Sequence, residues 1–456
     1  MNAIGTAATV TMDPRTRRLL EAPIVPLLLR MAWPNVLIMI AQASTGLIET
    51  WWLAKLGTDA LAGMALVFPP FMLMTMISAG AMGGGISSAV ARALGAGKRD
   101  AADAIVLHAV VVNGALGVFF AAVFLAFGEA IYRAMGGTGG ELSAALTYSD
   151  IVFAGGIFVW VSNALASVIR GTGNMLFPAI VTSIGVAFLI PASPLLIFGF
   201  GPIPALGVAG GGLAVVIFFV GATIAFAWYI LAGRNAARLR WVKLRWAPIA
   251  DILRIGAFSA ISSILTTLVI AGATSLVAHE AGADAVAGFG TGARLEYLLI
   301  PLIFGIGAPM VALVGTNIGA GNRDRAMSIA MVGGALAFAV TEAIGIVAAI
   351  WPEAWLGLFS AEPAMIDTGA AYLRIVGPFY GFFGLGLVLY FASQGAGRLF
   401  WPLLGGFLRV AIALGGSLLA LHLGARIDWI FVCLAAALAV YGIVVAIAVR
   451  GGVWFR

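Results

Sequence analysis

Apolar runs, each roughly twenty residues or longer, recur along the whole chain and are separated by short polar stretches. As helices, such runs are long enough to cross a hydrocarbon layer of ~30 Å. The pattern predicts twelve spans. The first six fall near 24–54, 60–90, 102–128, 144–170, 174–199 and 206–232. The second six fall near 252–279, 285–316, 326–350, 366–393, 399–422 and 428–449. Pro and Gly interrupt several of them, as in MALVFPPFML at 64–73. Membrane helices tolerate such breaks where neighbouring helices satisfy the freed backbone groups.

Composition agrees with this pattern. Hydrophobic residues make up 62% of the chain and charged residues 10%, with a mean hydropathy of +1.08. A soluble globule is about a quarter charged, so a soluble class is excluded. The net charge of +6 does not indicate a nucleic-acid partner, because no polar domain exists to carry a basic face. The single cysteine, Cys433, lies inside an apolar run and reads as a small buried hydrophobe. Asp13, Arg15, Arg17 and Arg18 interrupt the first twenty residues, so no signal-peptide core is expected there and the first span is retained.

Basic residues in short loops set orientation. Nineteen of the twenty-five fall on the side of the N-terminus, among them Arg92, Lys98, Arg170, Arg254, Arg323, Arg398 and Arg450. Only Lys55, Arg133 and Arg426 fall on the other side, and three arginines lie within spans. Both termini are therefore expected in the cytoplasm of a bacterium, in a multi-pass protein of the inner membrane.

The chain also repeats itself. GTDALAG at 57–63 returns as GADAVAG at 282–288, an offset of 225. GAGKRD at 95–100 returns as GAGNRD at 319–324, an offset of 224. RGTGNMLFP at 170–178 returns loosely as QGAGRLFWP at 394–402, and Tyr148 returns as Tyr372, both at 224. Six spans per copy make the halves parallel repeats about an axis along the membrane normal. The expected architecture is all-α, two six-helix bundles around a central cavity. It divides into a cytoplasmic tail (1–22), an N-lobe (23–233), a basic linker (234–250) and a C-lobe (251–456). The linker is expected to lie on anionic headgroups.

No phosphate-binding loop is present, because GAGKRD has Arg where Ser or Thr must follow Lys. His108, His279 and His422 sit in separate spans and make no metal-ligand spacing. A nucleophile–base arrangement is also missing, so neither an enzyme nor a cofactor is expected. A secondary transporter driven by an ion gradient remains.

At this point the residues carry a resemblance. LIETWWLAKLGTDALAG at 47–63 resembles the first-span signature of the multidrug and toxic compound extrusion (MATE) family. ALGAGKRD (93–100) and NIGAGNRDRA (317–326) resemble its paired loop motifs, and IRGTGNMLFP (169–178) its motif between spans four and five. The acid in span one, and the absence of one in span seven, resemble the DinF-like branch. That resemblance implies a coupling acid at Glu49. It also implies Asn and Asp in span five, where Leu189 and Ser193 stand, and a threonine in span six, where Val215 stands. The span-seven glutamate of the family's other well-known branch aligns with Thr266.

A charge within the hydrocarbon costs at least ~2.5–3.5 kcal/mol, so each one needs a reason. Asn35, Gln42 and Glu49 recur every seven residues with Thr45 one turn below Glu49, a polar stripe that should face the lobe interior. Asn163 in span four is expected to complete the pocket, or else simply to pack. In the second half, Arg294 and Glu296 lie two apart and point in nearly opposite directions. Glu342 is mid-span nine, and it reads either as a partner of Arg294 or, with Arg294 and Glu296, as part of a substrate cavity. Asp150 and Arg374 should lie at the outer interface. Trp160 and Phe158 read as packing before drug-stacking residues.

The expected function is proton-coupled export of small, often cationic, amphipathic compounds by rocking of the lobes, with Glu49 as carrier in a monomeric protein. Sodium-coupled antiport and a flippase or exporter of a lipid-linked or polar metabolite stand as alternatives.

Overall fold

The computed structural model describes residues 13–202 and 204–455, apart from the side chains of residues 42–47. Of the expected tail, Pro14–Glu21 is a helix. Asp13 caps it by accepting from the backbone N–H groups of Arg15 and Thr16, and Pro14 follows at the position where its missing N–H costs nothing.

Among the described residues twelve spans follow, eight of them as single uninterrupted segments. These are span 1 (Ile24–Ala54), span 3 (Arg99–Ala134), span 5 (Leu176–Phe198), span 6 (Val208–Leu231), span 9 (Arg323–Ile350), span 12 (Asp428–Arg450) and, once separated, spans 7 and 8. Spans 7 and 8 run on as one 74-residue helix, Trp246–Gly319. At 1.5 Å per residue it would extend ~110 Å, several bilayer thicknesses, so it must turn. It does so at Gly282, where φ 75 and ψ −167 leave the helical region. Only a residue without Cβ takes up that conformation readily.

Four spans are broken or locally underwound. Span 2 contains a π-helical segment, Met76–Met82, between Thr58–Thr75 and Gly83–Gly95. Span 4 bends by 47° between Gly139–Ala154 and Gly156–Gly171. Span 10 breaks at the same repeat position, into Pro363–Val376, the 3₁₀ turn Gly377–Phe379 and Tyr380–Ala396. Span 11 joins Phe400–Val410 to Ser417–His422 through a π segment, Ala411–Gly416.

The apolar interior forms two separate cores. Leu53, Val67, Ile86, Val106, Phe153 and Trp160 belong to the N-lobe core, and Leu299, Met310, Leu373, Tyr380, Phe431 and Leu438 to the C-lobe core. The lobes meet at the basic end of the bundle. There Ser88 Oγ lies 2.6 Å from Gln394 O and 2.9 Å from Gly395 O, and Arg92 pairs with Asp251 at 2.5 Å. A Cβ on Gly95 would collide with the backbone of Thr316, and one on Gly319 with that of Arg92. Glycine at these points lets span 2 and span 8 touch backbone to backbone.

The linker departs from the expectation of a segment held chiefly by headgroups. Residues 234–245 are not helical and are strapped to the N-lobe. Asp103, buried at the base of span 3, accepts from the backbone N–H of Arg238 at 2.7 Å and pairs with Arg240 at 3.1 Å. His108 Nε2 lies 2.9 Å from the backbone N of Arg245. Trp241 and Trp246 remain exposed, so the outer face of the strap is still free to meet headgroups.

Candidate functional site

Glu49 ends up buried in the outer half of span 1. The phenol of Tyr148, from the first half of span 4, donates to Glu49 Oε1 at 3.0 Å. Gly211, one turn into span 6, presents no side chain; a Cβ there would sit 3.2 Å from Leu53 and 3.6 Å from Glu49 Oε1. Spans 1, 4 and 6 thus enclose one carboxyl group with one hydroxyl donor. Among the described residues no cation pairs with it.

The C-lobe contains a counterpart built differently. Tyr372, 224 residues after Tyr148, donates to Glu296 Oε2 at 3.0 Å. Glu296 comes from span 8, whereas the repeat of span 1 is span 7, where Thr274 stands opposite Glu49. Arg409 of span 11 pairs with Glu296 Oε1 at 3.0 Å, both side chains being largely buried. Position 185, the repeat equivalent of Arg409, is glycine. Each lobe therefore rests one buried carboxylate on an equivalent tyrosine, but only the C-lobe supplies a fixed positive charge. The Arg409 Nε–H is buried without a partner beside a cavity of about 30 Å³ lined by Thr266, Ala273, Glu296, Tyr372 and Arg409, space for a single water.

The family model MatE matches residues 34–195 and again 259–414. The chain is a MATE family transporter. The two matches begin 225 residues apart, the offset read between the two GxDAxAG segments, so the family pattern itself falls on the chain twice. This MATE chain is 26% identical over 381 residues to a FAD transporter of Shewanella oneidensis, covering 82% of each. It is 27% identical over 389 residues to a probable multidrug resistance protein NorM of Thermotoga maritima, covering 84% of this chain and 82% of that one. Its fold superposes with a TM-score of 0.87 on the outward-facing conformation of a multidrug resistance MATE family transporter, at 22% identity over 98% of this chain and 99% of the other.

Within this MATE fold the expected site residues separate. Gln42 and Thr45 lie outside the described side chains. Asn35 is buried, but its amide donates to Met31 O one turn back, at 3.0 Å. Asn163 donates to Ser78 Oγ at 2.9 Å in the π segment of span 2, so its hydrogen bond goes there instead of to Glu49. Arg294 does not meet Glu342. It is exposed, with its guanidinium 5.8 Å from the Phe359 ring. Glu342 accepts from the backbone N–H of Gly381 at 2.7 Å, an N–H freed where span 10 restarts after Pro378. It works as a cap for a broken helix, which corrects its placement in a substrate cavity. Arg374 pairs with Glu353 at 2.6 Å, both exposed, and Trp160 is fully buried in the N-lobe core.

Three residues of these two arrangements escaped the site reading. Tyr148 and Tyr372 were visible as repeat landmarks, and their shared position in apolar spans was the available signal. Arg409 was visible as a charge in hydrocarbon, and a buried arginine requires a carboxylate. Nothing in the local sequence identified Glu296 as that carboxylate.

Proposed function

We propose that the chain is a secondary active exporter of small amphipathic compounds, driven by protons entering through Glu49. The observation that carries this reading is the difference between the two carboxylates. Arg409 neutralises Glu296 within the protein, so Glu296 has no need of a mobile cation. Glu49 has a tyrosine hydroxyl and no fixed countercharge. A carboxylate so placed must draw its positive charge from solution or stay costly in hydrocarbon. A hard metal cation asks for several oxygen ligands; among the described side chains Glu49 has one phenol as partner, which suits a proton better than sodium. Each proton entering down 100 mV releases ~2.3 kcal/mol, equivalent to a concentration ratio of roughly fifty for a neutral substrate exchanged one for one.

The family and the multidrug names among its relatives support the cargo class, and the basic-loop bias supports cytoplasmic termini in a bacterial inner membrane. The lobes touching at the basic end fit a rocking bundle closed toward the cytoplasm. In proteoliposomes, an imposed pH gradient should drive efflux of a fluorescent organic cation by the wild type. Glu49→Gln should bind the cation with unchanged affinity yet lose gradient-driven efflux. Efflux that follows a sodium gradient and ignores a protonophore would overturn the proton reading.

A second reading is export of a polar anionic metabolite, as the name of the Shewanella relative suggests for that protein. Transport of FAD by the same vesicles would decide for it.

A further inference from the structure

The turn that joins spans 4 and 5 and the turn that joins spans 10 and 11 are copies of one sequence, but the fold covers them with different groups. The N-terminal helix lies over the first, whereas at the second a Cβ on Gly397 would meet the guanidinium of Arg92 at 2.8 Å and a pocket stays open beside it. At the first copy a Cβ on Gly173 would meet Leu19 of the N-terminal helix at 2.8 Å. Leu19 and Met175 are both buried. Asn174 is fully engaged, accepting from Phe177 N–H at 3.2 Å and donating to Tyr229 OH at 3.0 Å, while Arg15 of the same helix reaches that phenol at 3.0 Å. The helix Pro14–Glu21 seals this turn.

At the second copy Arg398 replaces Asn174, and Phe400 and Trp401 replace Leu176 and Phe177. Among the described residues the helix Pro14–Glu21 has no counterpart there, and only the short C-terminal 3₁₀ turn Val453–Phe455 approaches, through Val453. A pocket of about 300 Å³ opens there, lined by Arg254, Ile255, Phe258, Arg398, Phe400 and Trp401. The Arg398 side chain is exposed and, among the described residues, makes no ion pair. Arg254 reaches Asp251 at 3.3 Å, but that carboxylate also serves Arg92 at 2.5 Å. One carboxylate is thus shared between two guanidinium groups, and Arg398 adds a third positive charge to the pocket wall. Phe400 is 63% exposed and Trp401 38%, so the rim of the pocket presents rings where the bundle meets the headgroup layer, the level that tryptophan favours.

We infer that this pocket binds the headgroup of an anionic phospholipid, its phosphate between Arg254 and Arg398 and an acyl chain leaving past Phe400 and Trp401. Guanidinium forks match phosphate oxygens two at a time. The remaining lining is apolar, which suits a ligand that carries its own hydrocarbon better than a freely hydrated ion. Basic pockets between spans at the cytoplasmic face take anionic headgroups for the same reasons. The N-lobe turn, with asparagine in place of arginine and a helix in place of open space, does not offer the room, and the guanidinium of Arg15 there is already engaged by Tyr229.

The test uses the full chain in neutral detergent and counts retained lipids by native mass spectrometry. Dioleoyl phosphatidylglycerol should be retained in preference to dioleoyl phosphatidylcholine. Arg398→Gln and Arg254→Gln should each weaken that retention about fivefold, the equivalent of ~1 kcal/mol per arginine, and Arg398→Lys should weaken it less. Arg133→Gln, at the opposite end and paired to Glu129 at 2.7 Å, should leave it unchanged. All three side chains are exposed, and equal melting temperatures would confirm that the variants fold. Retention unaffected by the double Arg254→Gln, Arg398→Gln change, or equally reduced by Arg133→Gln, would overturn the site. Inorganic phosphate that displaces the phosphatidylglycerol completely at millimolar concentration would overturn the lipid assignment in favour of a soluble anion.

Discussion

Tyr148 and Tyr372 show how one side chain supports two chemistries. Each donates to a glutamate at 3.0 Å, but only the second glutamate also meets an arginine. The pair Glu296–Arg409 therefore belongs to the class in which deleting one partner strands a charge and costs ~3–5 kcal/mol, while replacing both is far milder. Arg409→Met should lower the melting temperature in detergent and the yield of folded protein. Adding Glu296→Gln should restore most of the loss, and a double variant no more stable than Arg409→Met would sink the assignment. At this scale the sequence was partly legible. Glu49 stood out because a lone acid in an apolar run has no structural excuse. Glu342 stood out for the same reason, but its partner is a backbone N–H in the first turn of the restarted helix, and no side-chain pattern announces a backbone partner 39 residues away.

Among the elements, the contact between spans 2 and 8 depends on glycine. Valine at position 95 would push into the backbone of Thr316, and such overpacking costs about 1–3 kcal/mol. That cost falls only on the state in which the basic end is shut, so it becomes a roughly 5- to 150-fold shift toward the state in which it is open. Gly95→Val should slow export accordingly. A cysteine placed at Ser259, buried near the basic end, should also label from the cytoplasmic side in a Cys433→Ala chain that carries Gly95→Val, and should resist labelling without it. Unchanged export would refute the closure. Span positions were readable to within a few residues because the bilayer demands their length. The breaks within spans were not: Gly155 interrupts span 4 with no polar gap to mark it, whereas the turn at Gly282 falls in the polar stretch already read between spans 7 and 8.

For the whole molecule, the basic-loop bias makes a topological prediction. In a Cys433→Ala background, cysteine at Lys98 should resist an impermeant thiol reagent in intact cells, and cysteine at Glu353 should react; the reverse pattern would invert the orientation. The duplication was legible from four short matches, and the fold gives its one irregularity a physical meaning. The offset between copies falls from 225 at GTDALAG to 224 at GAGKRD, so span 2 contains one more residue than span 8 between those landmarks. Span 2 is also the member of that pair with a π-helical turn, Met76–Met82, whereas span 8 has none among the described residues. A surplus residue in an α-helix would swing everything beyond it by about 100° and turn Ser88 and Arg92 away from the C-lobe. A wide turn absorbs that residue and restores the phase. The π segment of span 11 has no such surplus behind it, since spans 5 and 11 match at 23 residues each. Shortening span 2 by one residue within 76–82 should therefore yield a plain α-helix that still delivers Ser88 to Gln394, while the same deletion at 84–90 should unseat it. The bulge is where the molecule stores the difference between its two ancestral halves.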